Sequence, residues 1–203
     1  MNHIIFIEGV SGVGKTTATA LLSEELQIMG YKVCCYLEGA CNNPLDPFRG
    51  TYPPTIPITE FFATYFNCWQ NFMRTKFEND FILIDGTLLH HQINDLIREY
   101  KVSDEVIANY LADLLHIILP LNPIIFYLSS CNVGQRLVQA RKSRNQLAPT
   151  EERIRYWENR KRVDLYVLEK LPIGSHILDV SNGWNFAHKT IIEYLNRSAD
   201  KLF

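Results

Sequence analysis

Short apolar runs alternate with longer amphipathic stretches along most of this chain of 203 residues. The apolar runs are rich in β-branched and aromatic residues and predict strands buried on both faces, at residues 3–8, 33–38, 80–85, 124–128 and 176–180. The stretches between them predict helices at about 15–29, 59–78, 88–99, 103–119, 132–143, 150–170 and 184–197. This alternation predicts a three-layer α/β fold, in which a parallel sheet carries helices on both faces. Because no linker, repeat or low-complexity tract interrupts the pattern, we expect one domain over residues 1–203.

One proline-rich segment breaks the alternation. Residues 42–58 contain too many prolines for a helix or an inner strand, namely Pro44, Pro47, Pro53, Pro54 and Pro57. A loop of this length within a compact domain is usually functional or disordered. Arg49 is the only basic residue between Lys32 and Arg74, and we expect it either to bind an anionic group of a ligand or to lie exposed in the loop.

The composition narrows the set of partners. The formal net charge is -2 at pH 7, so the molecule as a whole has no attraction to a nucleic acid polymer or to an anionic membrane. The apolar runs are far shorter than the roughly 20 residues of a membrane span, and the N-terminus lacks the basic flank of a signal peptide. The 5 cysteines form no CxxC pair and are typical of buried thiols in a reducing compartment. We therefore expect a cytoplasmic protein without nucleic acid or membrane partners, and a homodimer stays open.

A glycine-rich loop follows the first predicted strand. In FIEGVSGVGKTT, residues 6–17, four positions fit the pattern GxxxxGK[ST] between a strand and a helix. Glycines let backbone N–H groups curl around an anion, and the start of the helix adds the positive end of its dipole. This arrangement suits a phosphate chain, with Lys15 at the β- and γ-phosphates and the Thr16 hydroxyl on Mg²⁺. The expected nucleotide-binding residues of the loop are Gly9, Ser11, Gly12, Val13, Gly14, Lys15, Thr16 and Thr17.

The apolar strand FILID, residues 81–85, ends in Asp85. An aspartate that closes an inner strand lies at the sheet edge where the phosphate loop also lies, and there it can hold Mg²⁺ directly or through water. The alternative is that Asp85 caps the helix that follows. We expect Thr16 and Asp85 to form the metal site.

Basic residues gather after the fourth predicted strand. Arg136, Arg141 and Arg144 lie in GQRLVQARKSRNQ, and we place Arg141 and Arg144 on one helical face. Phosphoryl transfer needs cations over the γ-phosphate to neutralise charge that spreads across its oxygens, so we expect these arginines to serve the phosphates. For the other basic residues of this region a solvated helix face is the expected role, namely for Arg153, Arg155, Arg160, Lys161 and Arg162.

Large aromatic side chains repeat along FFATYFNCWQNFMRTKF, residues 61–77. Most of them are expected in the core, but the stripe is wider than one packing face. Phe66 and Trp69 are therefore candidates for the wall of an acceptor pocket. His90 and His91 have no metal-like partners nearby in the sequence, and we expect them to be structural or to face solvent.

The glycine-rich loop, the strand that ends in Asp85 and the arginine-bearing segment after IIFYL together resemble the P-loop kinases of the nucleoside monophosphate and deoxynucleoside kinase group. Thymidylate kinase is a familiar member, and its first strand also typically ends in Glu-Gly, here Glu8 and Gly9. The resemblance implies a five-stranded parallel sheet of the P-loop NTPase type in the order 2-3-1-4-5. It also implies that residues near 136–150 form a lid that closes over ATP, with Arg136 on the nucleotide.

Two positions differ from that group. Its members normally carry an arginine after the acidic residue that ends the third strand, and this chain has Gly86 there. The second strand ends in YLEGA instead of in Arg-Glu-Pro, so only Glu38 matches. The carboxyl end of a strand faces the crevice of such a sheet, and the resemblance implies that Glu38 takes or orients the proton of an acceptor hydroxyl. The alternative is a carboxylate that caps a turn.

These features predict an ATP- and Mg²⁺-dependent phosphotransferase that acts on a small-molecule acceptor, a nucleotide or a nucleoside. The expected catalytic residues are Lys15, Glu38, Arg141 and Arg144, and the expected acceptor-binding residues are Glu38, Arg49, Phe66 and Trp69. A kinase for a hydroxyl group of a metabolite or antibiotic is the first alternative, and a non-catalytic nucleotide-binding module is the second. A regulatory GTPase is disfavoured because the sequence has neither an NKxD motif nor a DxxG motif after the third strand.

Overall fold

The computed structural model describes residues 3–38, 43–48, 55–181 and 183–199. Its strands are β1 (His3–Glu8), β2 (Val33–Tyr36), β3 (Phe81–Asp85), β4 (Ile124–Ser129) and β5 (Ser175–Asp179). Its α-helices are α1 (Lys15–Ile28), α2 (Ile58–Met73), α3 (Gln92–Arg98), α4 (Asp104–Ile118), α5 (Val133–Ser143), α6 (Glu151–Lys170) and α7 (Asn185–Ala199). A short 3₁₀ turn, Leu119–Leu121, follows α4. All five predicted strands and the alternation of strands with helices are confirmed. The expected burial on both faces is wrong for the two edge strands, since β2 is half-buried along its length and β5 is partly exposed.

The strands form one parallel sheet in the order β2-β3-β1-β4-β5. Strand β1 lies in the centre, where Ile5 pairs with Leu83 on one side and with Ile124 on the other. The carboxyl ends of β1 and β3 lie side by side, with Ile7 opposite Asp85. The expected strand order is therefore confirmed. Ligands of open α/β sheets bind at the carboxyl ends of the strands, which draws attention to this edge.

Alternate residues of β1 face two different apolar layers. Ile4 and Phe6 pack toward α2, α4 and α6, whereas Ile5 and Ile7 pack toward α1 and α7. All four side chains are fully buried. Because helices cover both faces of the sheet, its inner strands are continuous apolar runs, and this is why the sequence pattern located them.

The helix predicted at 59–78 is shorter in the structure. Helix α2 ends at Met73, since the N–H of Arg74 donates to the carbonyl of Asn71 and closes a tighter turn there. Most of the residues between α2 and β3 are polar, but Phe77 packs on Phe72 with ring centroids 4.7 Å apart. Phe77 therefore joins the same apolar layer from outside the helix, which is why the spacing of aromatic residues predicted a helix that is too long.

The helix predicted at 88–99 is wrong in its first half. Residues Thr87–His91 form one wide turn of π-helix, which we call the π-turn, and the regular helix α3 begins only at Gln92. The side chain of Glu8 accepts hydrogen bonds from the N–H groups of Leu88 and His90, at 2.8 and 3.2 Å. These N–H groups therefore serve a side chain from β1 instead of an α-helical ladder.

Two expectations from composition bear on the described residues. Cys34, Cys35, Cys68 and Cys131 are free thiols, while Cys41 lies outside the described residues. Cys131 is exposed, so the expectation of buried thiols is wrong for that residue. None of the helices in the described part of the chain is both long and apolar enough to cross a lipid bilayer.

Candidate functional site

The loop between β1 and α1 is pressed tightly against its neighbours. Gly9 has a φ of 144°, and a Cβ atom at this position would lie 2.5 Å from the carbonyl oxygen of Leu128 in β4. Gly12 has a φ of 86°, and a Cβ atom there would lie 3.1 Å from the carbonyl oxygen of Arg136 in α5. Both positions need glycine because an L side chain neither adopts these angles readily nor has room. The loop is thus shaped by backbone packing.

The N-terminus of α1 is left open to an anion. Gly14 immediately precedes Lys15, the first residue of the helix, and among the described residues no side chain caps this end. The first turn of α1 also carries no acidic residue. Its backbone N–H groups and the positive end of the helix dipole therefore favour an external anion such as a phosphate.

A cleft of about 730 Å³ opens above this helix end. Its walls come from the loop, from Glu38 just beyond β2, and from one face of α5. The lining residues are Ser11, Gly12, Gly14, Lys15, Thr16, Thr17, Glu38, Arg136, Gln139, Ala140, Ser143 and Arg144. Most of the expected nucleotide-binding residues therefore share one cleft. Gly9 and Val13 lie beneath it, Val13 with its side chain in the apolar layer that also contacts α1.

Lys15 lies at the floor of the cleft and is only 5% exposed. Its Nζ lies 3.5 Å from Glu38 Oε2 and 3.4 Å from His90 Nδ1. Gly86 makes room for this side chain, because a Cβ atom at position 86 would lie 2.8 Å from Lys15 Cε. Gly86 also has a φ of 62°, which favours glycine. The P-loop kinases that this chain resembles normally have an arginine at this position. In this chain a glycine is favoured there because a larger side chain would collide with Lys15.

Thr16 and Asp85, the expected metal ligands, are in direct contact. The Thr16 hydroxyl donates to Asp85 Oδ2 at 2.6 Å, and the backbone N–H of Glu38 donates to the same oxygen at 3.0 Å. The other carboxylate oxygen, Asp85 Oδ1, is buried and has no hydrogen-bond partner among the described residues. Burial raises the pKa of Asp85, against the opposing effect of the Lys15 ammonium. A buried, unpaired carboxylate oxygen beside a hydroxyl fits a hard cation such as Mg²⁺.

Protein side chains would supply only part of such a metal site. No cluster of three His, Cys, Asp or Glu side chains that could hold a metal exists within the described ranges. A magnesium ion at Thr16 and Asp85 would therefore complete its shell with phosphate oxygens and water, as Mg²⁺ commonly does in proteins.

Glu38 faces the cleft opposite the phosphate loop, with 31% of its side chain exposed. Besides Lys15, two imidazole rings approach it. His90 Nε2 lies 3.6 Å and His91 Nε2 3.9 Å from Glu38 Oε1. A partly exposed carboxylate among polar neighbours can orient or accept a proton from a bound hydroxyl group.

The sequence analysis missed the two histidines. It expected them to be structural or solvent-facing, but His90 is buried against Lys15 and Glu38, and His91 is half-buried at the cleft edge. Burial, with Lys15 and Arg160 close by, holds the pKa of His90 well below its usual value, so its ring is neutral. Their position soon after the carboxyl end of β3 could have indicated the site. The sequence analysis instead assumed an α-helix over these residues, and the α-helical period placed both side chains on the face away from the site.

The three arginines of the expected lid do not act as one face. Arg136 and Arg144 line the cleft, whereas Arg141 Nε donates to the carbonyl of Leu147. At about 100° per residue, Arg136 shares its face with Ala140 and not with Arg141. The sequence analysis placed Arg141 at the phosphates with the other two arginines, and the structure corrects this. Arg141 holds the turn after α5 and is not among the described residues that line the cleft.

The aromatic candidates for an acceptor wall lie elsewhere. Trp69 is fully buried and stacks on Phe6 with ring centroids 5.9 Å apart, so the prediction for Trp69 is wrong. Phe66 packs edge-on against Tyr110 at 5.9 Å and does not line the cleft as described. Both rings pack in the apolar layer between the sheet and helices α2 and α4. Arg49, the remaining acceptor candidate, lies outside the described residues.

Arg160 corrects a further expectation. The sequence analysis assigned it to a solvated helix face, but its side chain is fully buried and pairs with Asp164 Oδ1 at 2.7 Å. It also donates to the carbonyls of Leu89 and His90 in the π-turn, at 2.8 and 3.3 Å. An arginine with this many buried partners holds structure in place instead of binding solvent.

Solved structures of other proteins share the fold of this chain. No protein-family model and no curated protein sequence matches the chain. Among solved structures, the thymidylate kinase from Ehrlichia chaffeensis is similar with a TM-score of 0.61 and 16% identity, over 96% of this chain and 98% of that one. The YorR protein from Bacillus subtilis, solved in complex with phosphorylated GDP, is similar with a TM-score of 0.56 and 16% identity, over 97% of this chain and 98% of that one. The chain therefore has the P-loop kinase fold of thymidylate kinase.

Proposed function

We propose that this protein is an ATP- and Mg²⁺-dependent phosphotransferase, which moves the γ-phosphoryl group to a small-molecule acceptor, a nucleotide or a nucleoside. The observation that carries the proposal is the position of Lys15. Its ammonium lies at the floor of a cleft whose one side is the phosphate loop and whose other side is the carboxylate of Glu38. This arrangement would bring a bound phosphate chain and an acceptor beside Glu38 to the same cation, and phosphoryl transfer depends on such positioning and charge stabilisation.

The donor side would be built by the loop and by α5. The loop N–H groups and Lys15 would bind the phosphate chain, and Arg136 and Arg144 would neutralise charge from the opposite wall of the cleft. When bound, Mg²⁺ would supply positive charge that offsets the charge of the phosphates. Thr16 and Asp85 would hold the ion from below. Residues at about 136–150 would act as the lid that excludes water during transfer.

The acceptor side would be built around Glu38. Its carboxylate would orient an acceptor hydroxyl or accept its proton as the phosphoryl group arrives. Because Gly86 supplies no cation for an acceptor phosphate, a kinase that acts on a hydroxyl group of a metabolite or antibiotic is the second candidate function. All of these candidate functions use the same site. They differ only in whether the acceptor is a nucleotide, a nucleoside or another hydroxyl compound.

The test is ATP binding and turnover by the full chain. We expect calorimetry to find affinity for ATP that depends on Mg²⁺, and ADP release to rise when the right nucleoside, nucleotide or hydroxyl compound is added. Lys15→Ala should lower turnover by at least about 10²-fold, since it removes charge from the transition state. Lys76→Ala, at an exposed position outside the cleft, is the matched control and should retain activity.

Three outcomes separate the candidates. Tight ATP binding without acceptor-stimulated turnover would favour a non-catalytic nucleotide-binding module. Stimulation by an acceptor without a nucleobase would favour the second candidate function. Retained turnover in Lys15→Ala, or no Mg²⁺-linked affinity for ATP in folded protein, would overturn the assignment of the loop.

A further inference from the structure

The π-turn is held from both sides by fully buried side chains. Glu8 in β1 accepts hydrogen bonds from the N–H groups of Leu88 and His90, at 2.8 and 3.2 Å. Arg160 in α6 donates to the carbonyls of Leu89 and His90, at 2.8 and 3.3 Å. Both side chains are 0% exposed. Carboxyl oxygens on the N–H side and a guanidinium on the carbonyl side both satisfy backbone hydrogen-bonding groups of the turn.

Arg160 is itself fixed by neighbours from other elements. Its guanidinium pairs with Asp164 at 2.7 Å and donates to the side-chain oxygen of Asn94 in α3 at 2.6 Å. The hydroxyl of Tyr127 in β4 donates to the second oxygen of Asp164 at 2.9 Å. The π-turn is therefore attached to β1, β4, α3 and α6. Single π-helical turns are rare and concentrate at functional sites. We therefore asked which side chain this turn positions.

What it holds is the ring of His90. The ring stacks on Trp157, with centroids 5.1 Å apart and planes 6° from parallel. Its Nδ1 lies 3.4 Å from Lys15 Nζ and 3.2 Å from the carbonyl oxygen of Gly9. Its Nε2 lies 3.6 Å from Glu38 Oε1. The ring of His90 thus contacts both Lys15 and Glu38, which also pair with each other at 3.5 Å.

The neighbours of the ring favour one tautomer. The ring is neutral because burial and nearby cations oppose a charge on it. With the proton on Nε2, Nδ1 can accept a hydrogen bond from the Lys15 ammonium, and Nε2–H faces the Glu38 carboxylate. These two contacts are favourable. The contact between the bare Nδ1 and the Gly9 carbonyl oxygen is the one unfavourable contact. With the proton on Nδ1, only the contact with Gly9 is favourable, and a lone pair faces Glu38. Two contacts that involve charged groups outweigh one with a neutral carbonyl.

We propose that His90, as the Nε2–H tautomer, is a positioning residue that holds Lys15 and Glu38 in register across the site, in a ring position fixed by Glu8 and Arg160. The proposal rests on the proposed function, because it assigns the donor phosphates to Lys15 and the acceptor to Glu38. Removal of the two ring nitrogens takes one neighbour from each of the two charged side chains and leaves their mutual contact of 3.5 Å, so the pair can shift as a unit. Displacements of about 1 Å at a reacting centre can cost about 10²-fold in rate.

The kinetic test compares two substitutions of His90. His90→Phe keeps the stack on Trp157 and removes both nitrogens, and we expect it to lower kcat by about 10- to 100-fold with little change in ATP affinity. His90→Gln restores a donor and an acceptor and should recover part of that loss. His116→Phe, at an exposed position on α4, is the matched control and should behave as wild type. Unchanged kcat in His90→Phe, or an equal loss in His90→Phe and His90→Gln, would overturn the proposal.

A second test needs no turnover. Nitrogen-15 NMR of the imidazole side chains distinguishes a protonated ring nitrogen from a bare one, and the missing signals in His90→Gln assign those of His90. We expect Nε2 to be protonated and the bare Nδ1 to shift in Lys15→Ala. A protonated Nδ1, or an Nδ1 signal that Lys15→Ala does not move, would contradict the role of His90. Failure of every acceptor to stimulate ADP release would instead contradict the proposed function, so the two failures are distinguishable.

The anchor can be tested through a conservative change. Arg160→Lys keeps the buried charge but replaces a five-donor fork with a single ammonium, so it cannot hold both carbonyls and Asn94 at once. We expect kcat to fall in the same direction as in His90→Phe, and the His90 Nδ1 signal to move. Arg162→Lys, on the exposed ion pair of the same helix with Asp104, is the matched control. A wild-type Nδ1 signal in folded Arg160→Lys would show that Arg160 does not position the ring.

Discussion

Lys15 has less freedom than a lysine at the edge of a cleft normally has. Its side chain passes over Gly86 and ends between Glu38 and His90, each within about 3.5 Å of its ammonium. The Glu38 carboxylate, 3.5 Å from the Lys15 ammonium, compensates in part for the contact with water that burial removes. The identity of residue 86 therefore matters for the position of Lys15.

Gly86→Ala should separate the effect of a side chain at this position from backbone strain. A Cβ atom at a φ of 62° costs roughly 1 kcal/mol, and here it would also lie 2.8 Å from Lys15 Cε. The flexible end of the lysine can move aside, so we expect a modest loss of stability but a clear loss of ATP affinity and turnover. Chemical denaturation and calorimetry measure the two effects.

Gly30→Ala is the matched control for that prediction. Gly30 also has a positive φ, 92°, but a Cβ atom there has nothing within 4 Å. It should lose stability to a similar extent and bind ATP as wild type does. If Gly86→Ala bound ATP normally, or if both variants lost affinity alike, the steric account of Gly86 would be wrong.

Helix α5 presents one face to the cleft, and its arginines differ in what they do. Arg136 and Arg144 line the cleft, whereas Arg141 holds the carbonyl of Leu147 in the turn that follows. The helix period decides this difference, since residues five apart in a helix point about 140° away from each other. Positive charge in the cleft and order in the turn after α5 therefore depend on different side chains.

Substitution of these arginines should give two kinetic patterns. We expect Arg144→Ala to lower kcat by about 10²-fold, since it removes a cation from the cleft wall. Arg141→Ala should lower kcat by less, with ATP binding almost unchanged, because it loosens the turn without touching the cleft. Steady-state kinetics and calorimetry check both. Lys142→Ala, exposed on the same helix, is the control, and an effect of Arg141→Ala confined to KM would argue against a lid role.

The elements show where local pattern is a good guide and where it is not. All five strands were predicted. The inner strands β1, β3 and β4 are buried and therefore continuous apolar runs. The edge strands β2 and β5 are only partly buried, but they are also short β-rich runs between helical stretches. The π-turn was not, since a side chain from β1 takes the N–H groups that an α-helix would use. Arg160 was misplaced for a similar reason, as its partners come from the π-turn about 70 residues away. Periodicity carries no information on such distant partners.

Across the whole molecule, buried acidic groups link stability to pH. Burial raises the pKa of Glu8 from 4.5 to about 8, although Lys15 and backbone N–H groups act in the opposite direction. Between these two values the folded protein binds more protons than the unfolded chain does. The contribution of Glu8 to stability is therefore fully present below about pH 4.5 and is lost as the pH rises through about 8.

Glu8→Gln should remove that dependence. We expect the free energy of unfolding of the wild type to fall more steeply between pH 5 and pH 8 than that of Glu8→Gln, as measured by urea denaturation at several pH values. Other buried acids, such as Asp95 with a pKa raised to about 7, titrate in both proteins and cancel in the difference. Glu193→Gln, at an exposed ion pair on α7, is the control and should follow the wild type. Parallel slopes for Glu8→Gln and wild type would contradict the assignment.

The amino-acid sequence was sufficient for the fold class, for the strands and for the position of the glycine-rich loop, and it correctly indicated that Thr16 and Asp85 lie close together. Each of these depends on residues close together in the chain or on a general property of parallel sheets, that their strands end at a common edge. Only folding decided the surroundings of Lys15, the burial of Trp69 and Arg160, and the presence of His90 in the site. His90 and Lys15 are 75 residues apart in the chain, and their contact depends on a turn held by buried side chains from two other elements. Long-range contacts of this kind follow from packing, which leaves no regular period in the sequence.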